Sequence, residues 1–155
     1  MIREACISDF NAISNLESQV FYMHLNARPD MIKPRQQPFE RDYFESCLND
    51  ENVKIFVFED NGEILGHCIT RKLEYNNHHM FYDTVILEIN DLCVDEKVRG
   101  KNIGRQLFNR AKDYAKETGA ARLELTVWNF NKNAREFYEH LGITERTIRM
   151  EMIIE

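Results

Sequence analysis

Two glycines set among basic residues form the stretch whose residue types and spacing suggest chemistry. In VRGKNIGRQL, Gly100 and Gly104 lie among Arg99, Lys101 and Arg105, with an apolar strand-like run before them and a helical pattern after them. A helix N-terminus exposes about four unpaired N–H groups and the positive end of the helix dipole. Since glycine also lets the backbone approach a ligand closely, the stretch predicts an anion site.

Two common phosphate-binding loops do not match this stretch. The pattern G-x-x-x-x-G-K-[ST] is absent, and so is the dinucleotide pattern G-x-G-x-x-G. A basic surface turn that only caps a helix would have the same residue types. The choice between these interpretations therefore depends on the elements that position the loop.

The N-terminal third predicts one strand and two helices. The stretch IREAC has strand character, and Ser8 or Asp9 can cap a helix whose apolar residues recur at helical spacing. That periodicity ends in HLNARPDMIKP, where two prolines break it. Pro38 then suits the first turn of a second helix, PFERDYFESCL.

The rest of the chain predicts a hairpin, strand–helix units and a final strand. Asn61-Gly62 is a strong hairpin signal within VKIFVFEDNGEILGHCITRKL. The long strand FYDTVILEINDLCV leads into the glycine loop and a helix over 103–118, which Gly119 can end. A strand ARLELTV, a helix NKNAREFYEHL and a last strand TERTIRMEMII follow.

The predicted order, β α α β β β α β α β, indicates one α/β (or α+β) domain spanning residues 1–155. Strand–helix–strand units imply local parallel pairing, and the hairpin implies antiparallel pairing. A chain of 155 residues is long enough for one buried core. We therefore expect a mixed central sheet with helices on both of its faces.

Composition excludes several classes of protein. The net charge of −6 argues against nucleic acid as a partner, and no apolar run approaches the roughly 18 residues that span a bilayer. The N-terminus lacks the apolar core of an export signal, so we expect a cytoplasmic protein. The four cysteines form no C-x-x-C pair, so we expect reduced thiols and no metal site.

Two motifs together resemble those of the GNAT superfamily of N-acetyltransferases. The family loop [QR]-x-x-G-x-[GA] is matched by Arg99, Asn102 and Gly104, with asparagine where the family usually has glycine. The family signature N-x-x-A-x-x-x-Y is matched by Asn131, Ala134 and Tyr138. Asparagine tolerates positive φ better than most residues, so we expect the turn to be kept.

The resemblance implies a mostly antiparallel sheet that splays between its fourth and fifth strands, with acetyl-CoA in the gap. The pyrophosphate would lie on the loop, the pantetheine arm along strand backbone, and no metal would be needed. We also expect positive φ at Gly104. The implied cofactor residues are Leu92, Cys93, Val94, Arg99, Gly100, Lys101, Asn102, Ile103, Gly104, Arg105 and Asn131.

The implied reaction is direct transfer of acetyl to a primary amine in a ternary complex. An amine of pKa ~10.4 is neutral in about one molecule in ~2,500 at pH 7, so a base is needed. Glu88 matches the family's base and by period two shares a face with Leu92. Asp91, on the opposite face, and a water relay are the alternatives, while Tyr138 matches the acid that protonates the departing thiolate.

The sequence does not specify the acceptor. Polyamines, amino acids, aminoglycosides and protein N-termini all present an amine. Phe21, Tyr22 and Trp128 could line an acceptor pocket, although core packing explains them as well. A homodimer is compatible with the family. A module that binds coenzyme A or acyl-CoA without turnover is the alternative function, and a plain structural domain is a third.

Overall fold

Five strands in the order β1-β2-β3-β4-β5 form the central sheet of the computed structural model, which describes residues 1–154. Each strand pairs antiparallel with the next, except that β4 and β5 are parallel. The predicted mixed, mostly antiparallel sheet is therefore confirmed. The strands are β1 (Ile2–Glu4), β2 (Val53–Asp60), β3 (Glu63–Tyr75), β4 (Thr84–Val94) and β5 (Arg122–Leu125).

Four α-helices cover the two faces of the sheet. They are α1 (Phe10–Ala27), α2 (Arg41–Asn49), α3 (Ile103–Glu117) and α4 (Lys132–His140). One buried cluster joins α1 and α2 to one face, and another joins α3 and α4 to the other face. Within residues 1–154, none of the helices combines the length and the apolar character needed to cross a membrane.

Most predicted elements are found close to their predicted bounds. The β2–β3 hairpin turns at Asn61 and Gly62, both with positive φ, as a two-residue turn requires. Helix α2 begins at Arg41 rather than near Pro38, because the backbone at Glu40 is extended. That geometry directs Phe39 into the core, where its ring lies near those of Phe10 and Phe44.

A β-bulge at Asn90 interrupts the regular alternation of β4. Ile69 of β3 pairs with Asp91, and the next residue, Thr70, pairs with Ile89, so Asn90 has no partner on β3. Side chains of paired residues lie on the same face of a sheet. Ile69 belongs to the α1–α2 cluster and Ile89 to the α3–α4 cluster. Asp91 therefore lies on the α1–α2 face.

The bulge changes which carboxylates lie together. Glu88 pairs with Arg71, two residues from Ile69, and so lies on the same α1–α2 face as Asp91. Leu92 packs in the opposite, α3–α4, cluster. The prediction that Glu88 shares a face with Leu92 and that Asp91 lies opposite is wrong, because the extra residue shifts the alternation by one position.

The sheet opens between β4 and β5. Parallel pairing runs from Ile86 with Arg122 to Ile89 with Leu125 and ends there. Residues 90–94 of β4 therefore have no strand partner along this edge, and the Val94 carbonyl oxygen accepts a hydrogen bond from Arg99 Nε at 3.3 Å. The splayed sheet that the family resemblance implied is present.

The predicted final strand is wrong. Residues 143–154 form no strand or helix. Alternation of apolar and polar residues suggested a half-buried strand, but no surface within residues 1–154 buries its apolar side. Ion pairs from Arg135 to Glu145 at 2.5 Å and from Arg28 to Glu151 at 2.7 Å hold the segment instead. Ile143 packs partly against the α3–α4 cluster, but the large apolar side chains that follow it are exposed: Ile148, Met150, Met152, Ile153 and Ile154.

Candidate active site

A cavity of about 870 Å³ occupies the gap where β4 and β5 part. One wall is the unpaired half of β4, and the other is the chain that leaves β5 at residues 125–128. The glycine loop and the start of α3 close one end, while α1 closes the other. The cavity therefore extends from the predicted anion site at one end to a chamber under α1 at the other end.

The structure brings nearly all of the sequence-predicted site residues to this cavity. Of the eleven predicted cofactor residues, only Lys101 does not line it; Lys101 is exposed on the loop. Tyr138 also lines the cavity, whereas Glu88 does not. Glu88 instead lies beside Arg71 of β3 and Glu124 of β5, at the paired part of the sheet.

The start of α3 has the geometry of an anion site. Asn102, in the family's glycine position, has a left-handed conformation with φ 65°, and Gly100 has φ 83°. The Asn102 side chain makes no capping hydrogen bond. The N–H groups of the first turn are therefore not capped by that side chain and can bind an anion, with Arg99 and Arg105 beside them.

Gly104 has a different role from the one predicted. It is the second residue of α3, and its φ is not positive, because Gly100 and Asn102 complete the turn before the helix begins. A Cβ at Gly104 would lie 3.2 Å from Cζ of Phe137 and 3.6 Å from Cγ2 of Val94. Glycine here thus permits close packing of α3 against β4 and α4.

The second family motif forms the start of α4. The Asn131 Oδ1 accepts a hydrogen bond from the Ala134 N–H at 3.1 Å, so this side chain caps α4. Its amide N–H groups remain available to a ligand in the cavity. Tyr138, one helical turn after Ala134, is buried. Burial is the main cause that raises the pKa of its phenol. The phenol of Tyr138 is therefore neutral over the physiological range.

Cys93 is the thiol that lines the cavity, and it is a poor nucleophile. Its Sγ donates to the Leu16 carbonyl oxygen at 3.4 Å, which directs the thiol towards α1. Burial, with help from the charges of Asp91 and Glu17, raises the pKa of Cys93 to about 12. Since the thiolate is the reactive form, Cys93 is unsuited to form an acyl intermediate.

Three titratable side chains meet at the α1 end of the cavity: Glu17 from α1, His67 from β3 and Asp91 from β4. One oxygen or nitrogen atom from each of the three side chains lies within 4.8 Å of the other two. His67 is fully buried, and its Nε2 lies 2.7 Å from the Glu17 Oε1. The other ring nitrogen, Nδ1, is buried without a hydrogen-bond partner within residues 1–154. Glu17 and Asp91 both line the cavity.

The three groups perturb one another's pKa values. Burial raises the pKa of Asp91 to about 7, and the nearby Glu17 charge adds to the shift. Burial also acts to raise the pKa of Glu17, but the hydrogen bond and charge of His67 outweigh it and hold that pKa below its usual range. For His67, burial acts to lower the pKa, but Glu17 and Asp91 prevail and raise it. Asp91 is thus the carboxylate that titrates near neutrality.

The same trio is the group of side chains within residues 1–154 whose spacing could suit a metal ion. A tetrahedral ion with ligands at ~2.1 Å would hold two of them about 3.4 Å apart. The 2.7 Å between Nε2 of His67 and Oε1 of Glu17 is instead a charge-assisted hydrogen bond. The geometry therefore favours proton sharing.

Sequence reasoning missed Glu17 and His67. Glu17 is one polar residue in a long helix, and nothing in its neighbours distinguishes it. His67 gave a weak signal, because it interrupts the apolar run ILGHCI of its strand. Their meeting depends on how α1 crosses the sheet, which local sequence does not encode.

Comparison with known proteins agrees with this architecture. A family model described as the acetyltransferase (GNAT) family matches residues 12–143. The structure of a mutant BH1408 protein from Bacillus halodurans is 28% identical and superposes with a TM-score of 0.98, covering 100% of this chain and 99% of that chain.

Curated relatives are similar over much of the chain. The uncharacterized N-acetyltransferase YhfO of Bacillus subtilis is 32% identical over 94% of this chain and 91% of its own length. Aminoalkylphosphonate N-acetyltransferase of Salmonella typhimurium is 33% identical over 70% of this chain and 68% of its own. The match to an uncharacterized N-acetyltransferase of Methanocaldococcus jannaschii, 32% identical over 74% of this chain, spans about half (49%) of that protein. The chain belongs to the acetyltransferase (GNAT) family.

Proposed function

We propose that this enzyme transfers the acetyl group of acetyl-CoA directly to a primary amine, with both substrates bound at once. The observation that carries the proposal is the single continuous cavity. It has an uncapped helix N-terminus at one end, a buried phenol in its wall, and a chamber with carboxylates at the other end. Each of these features suits one part of the reaction.

Acetyl-CoA would bind along the open edge of β4. The backbone of Leu92, Cys93 and Val94, which has no strand partner on the β5 side, suits the amides of the pantetheine arm, as in the addition of a strand to a sheet edge. The pyrophosphate would rest on the N–H groups of α3, beside Arg99 and Arg105. The charge of Lys101 would act from the solvent side of the loop.

Direct transfer follows from the chemistry of the cavity wall. The amine lone pair attacks the thioester carbonyl carbon, a C–N bond forms and the C–S bond breaks. Tyr138 would protonate the departing sulfur, since it lies in the wall of the cavity and its phenol carries a proton. Cys93 stays a thiol and so offers no alternative route through an acyl-enzyme. The sequence-predicted base Glu88 lies off the cavity and would need a water relay.

Binding of acetyl-CoA should raise the melting temperature. At 100 times the dissociation constant a ligand stabilises the fold by about 2.7 kcal/mol, or about 5–10 °C for a chain of this size. Differential scanning fluorimetry would measure the shift. S-acetylpantetheine, which lacks the pyrophosphate, should give a much smaller shift at equal concentration. An unchanged melting temperature in millimolar acetyl-CoA would contradict the proposal.

The alternative is a module that binds coenzyme A or acyl-CoA without turnover. It shares the loop and differs in the fate of the thioester. Release of free thiol from acetyl-CoA that depends on an added amine distinguishes the two. The buried phenol and the carboxylates at the far end of the cavity favour the enzyme, because a binding module has no use for them.

We further propose a homodimer in which the exposed apolar side chains of residues 143–154 are covered. Five large apolar side chains within seven residues of this segment are each at least 75% exposed, and clusters of exposed apolar residues often mark protein–protein contacts. Light scattering should give a mass of twice the 18.5 kDa chain, and Ile148→Glu should lower that mass to one chain. A wild-type protein that is monomeric at micromolar concentration would refute this.

The unpaired state of all four cysteines supports a cytoplasmic location.

A further inference from the structure

We propose that the acceptor is a primary monoamine on an apolar body, whose ammonium group binds at the Glu17–His67–Asp91 cluster and loses its proton to Asp91. This inference rests on the proposed acetyltransferase function and assigns the acceptor end of the same cavity. It replaces Glu88 with Asp91 as the base. Three features carry it: the position of the cluster, its charge, and the character of the surrounding wall.

The cluster lies where an acceptor nitrogen has to be. Asp91 precedes Leu92, the first of the β4 residues whose backbone is proposed to hold the pantetheine arm. Glu17 has 12% of its side chain exposed and faces the same chamber under α1. An amine that reaches the thioester from the α1 side therefore passes these two carboxylates.

The charge of the cluster suits one cation. Glu17 is ionised and His67 is drawn towards its protonated form, so together they are close to neutral. Asp91 then adds one negative charge once it ionises, which an ammonium group would balance. The titratable groups that interact with Asp91 are Glu17 of α1, His67 and Cys68 of β3, Cys93 of β4 and Tyr138 of α4, while His24 of α1 interacts with Glu17.

The wall of the acceptor chamber is largely apolar, and His24 is a further titratable side chain that lines it. Among the described residues that line the cavity, Glu17 and Asp91 are the acids, and the arginines are Arg99 and Arg105 on the cofactor loop. A second ammonium group on the acceptor would therefore have no further acidic side chain to pair with. A carboxylate or phosphonate on the acceptor would have no arginine in the chamber to pair with. The apolar side chains of this chamber are Val20, Phe21, Met23, Ile32, Phe39 and Trp128.

Arg28 does not alter this conclusion. Its guanidinium lies 5.7 Å from the centre of the Trp128 ring, near the chamber. However, it is already paired with Asp30 at 2.8 Å and Glu151 at 2.7 Å, and it does not line the cavity. Its charge is therefore used by two carboxylates and is not free for an anionic acceptor.

The proton balance of the reaction is complete with these residues. The ammonium group gives one proton to Asp91, and the freed lone pair attacks the thioester carbonyl. As the C–N bond forms, the nitrogen loses a second proton, which replaces the one that Tyr138 gives to the departing sulfur. Asp91 later releases its proton to solvent. The products are the acetylated amine, the free thiol of coenzyme A and one proton.

An amine panel tests the acceptor class on the wild-type enzyme. Thiol release from acetyl-CoA is measured with butylamine, hexylamine, 1,4-diaminobutane and 2-aminoethylphosphonate. The specificity constant kcat/KM should rise about fourfold for each added methylene, the factor that corresponds to burial of one CH₂. The value of kcat/KM should be at least tenfold lower for 1,4-diaminobutane than for butylamine, because the diamine carries a second ammonium group at its far end. A preference for the diamine or the phosphonate would overturn the proposal.

Variants of the cluster test the base. In the wild-type enzyme, kcat/KM should fall below about pH 7, because Asp91 must be ionised to accept a proton. For Asp91→Asn we expect at least a ~100-fold loss in kcat/KM and the disappearance of this acid limb of the pH profile. Glu17→Gln should raise KM for hexylamine and shift that limb. The matched control Asp42→Asn, an exposed change on α2, should leave the profile unchanged. Loss of the limb in Glu88→Gln but not in Asp91→Asn would refute the assignment.

The two proposals fail in distinguishable ways. If wild type binds no acetyl-CoA, the proposed function falls. If it binds acetyl-CoA and acetylates amines, but Asp91→Asn keeps a wild-type profile, only the present inference falls. The rise in melting temperature with acetyl-CoA shows whether each variant is folded. The amine panel uses only the wild-type enzyme, so it tests the acceptor class even if a variant fails to fold. A loss of activity in EDTA that zinc restores would favour a metal site and contradict the assignment of a shared proton.

Discussion

Tyr138→Phe should lower the turnover number at least ~10-fold, and by up to the ~10²–10⁴-fold that a positioned acid contributes, and leave acetyl-CoA affinity nearly unchanged. The change removes one hydroxyl and keeps the ring that packs against Phe108 and Phe137. The free energy of unfolding should therefore change by no more than about 1 kcal/mol. Steady-state kinetics and urea unfolding measure the two effects separately.

The size of this defect should depend on the leaving group. A thiol of lower pKa needs less protonation as it departs, so acyl donors with such thiols should narrow the gap between Tyr138→Phe and wild type. Tyr114→Phe is a matched control, since Tyr114 packs in the same cluster without lining the cavity. Its turnover should equal that of wild type. Wild-type turnover in Tyr138→Phe, in an assay limited by chemistry, would leave the tyrosine as a wall of the channel only.

Local signals in the sequence predict the parts of this fold that depend on local physics. Asn61-Gly62 specifies its turn because both residues tolerate positive φ, and the structure shows both there. The asparagine at position 102 was expected to keep the family's turn for the same reason, and it has φ 65°. Periodicity likewise located the four helices within a few residues.

What the sequence did not predict depends on contacts between distant residues. The bulge at Asn90 is invisible in a regular alternation, yet it places Asp91 on the face of Glu88 and into the cavity. The Glu17–His67 contact joins residues 50 positions apart. The prediction of a last strand failed for a related reason. Alternation in residues 144–154 predicts a strand, but a strand also needs a partner strand and a surface to cover.

Gly66→Ala should destabilise the fold by about 3 kcal/mol, the upper end of the usual cost of overpacking a core. Gly66 pairs with Val94 where β3 meets the open half of β4. A Cβ at this position would lie 2.8 Å from the Cys93 carbonyl oxygen, 3.1 Å from Leu107 Cδ1 and 3.3 Å from Ile103 Cγ2. The first contact is with backbone, so no change of rotamer can relieve it, and β4 has to move.

That movement should also weaken acetyl-CoA binding, by about tenfold or ~1.4 kcal/mol, because Cys93 and Ile103 belong to the proposed cofactor site. Gly62→Ala separates this effect from a general loss of stability. Gly62 has φ 82° with nothing near its missing Cβ, so alanine there costs about 1–2 kcal/mol of backbone strain far from the cavity. Urea unfolding and calorimetric titration of both variants measure stability and affinity. Equal acetyl-CoA affinities in the two variants would mean that the β3–β4 contact does not shape the cofactor site.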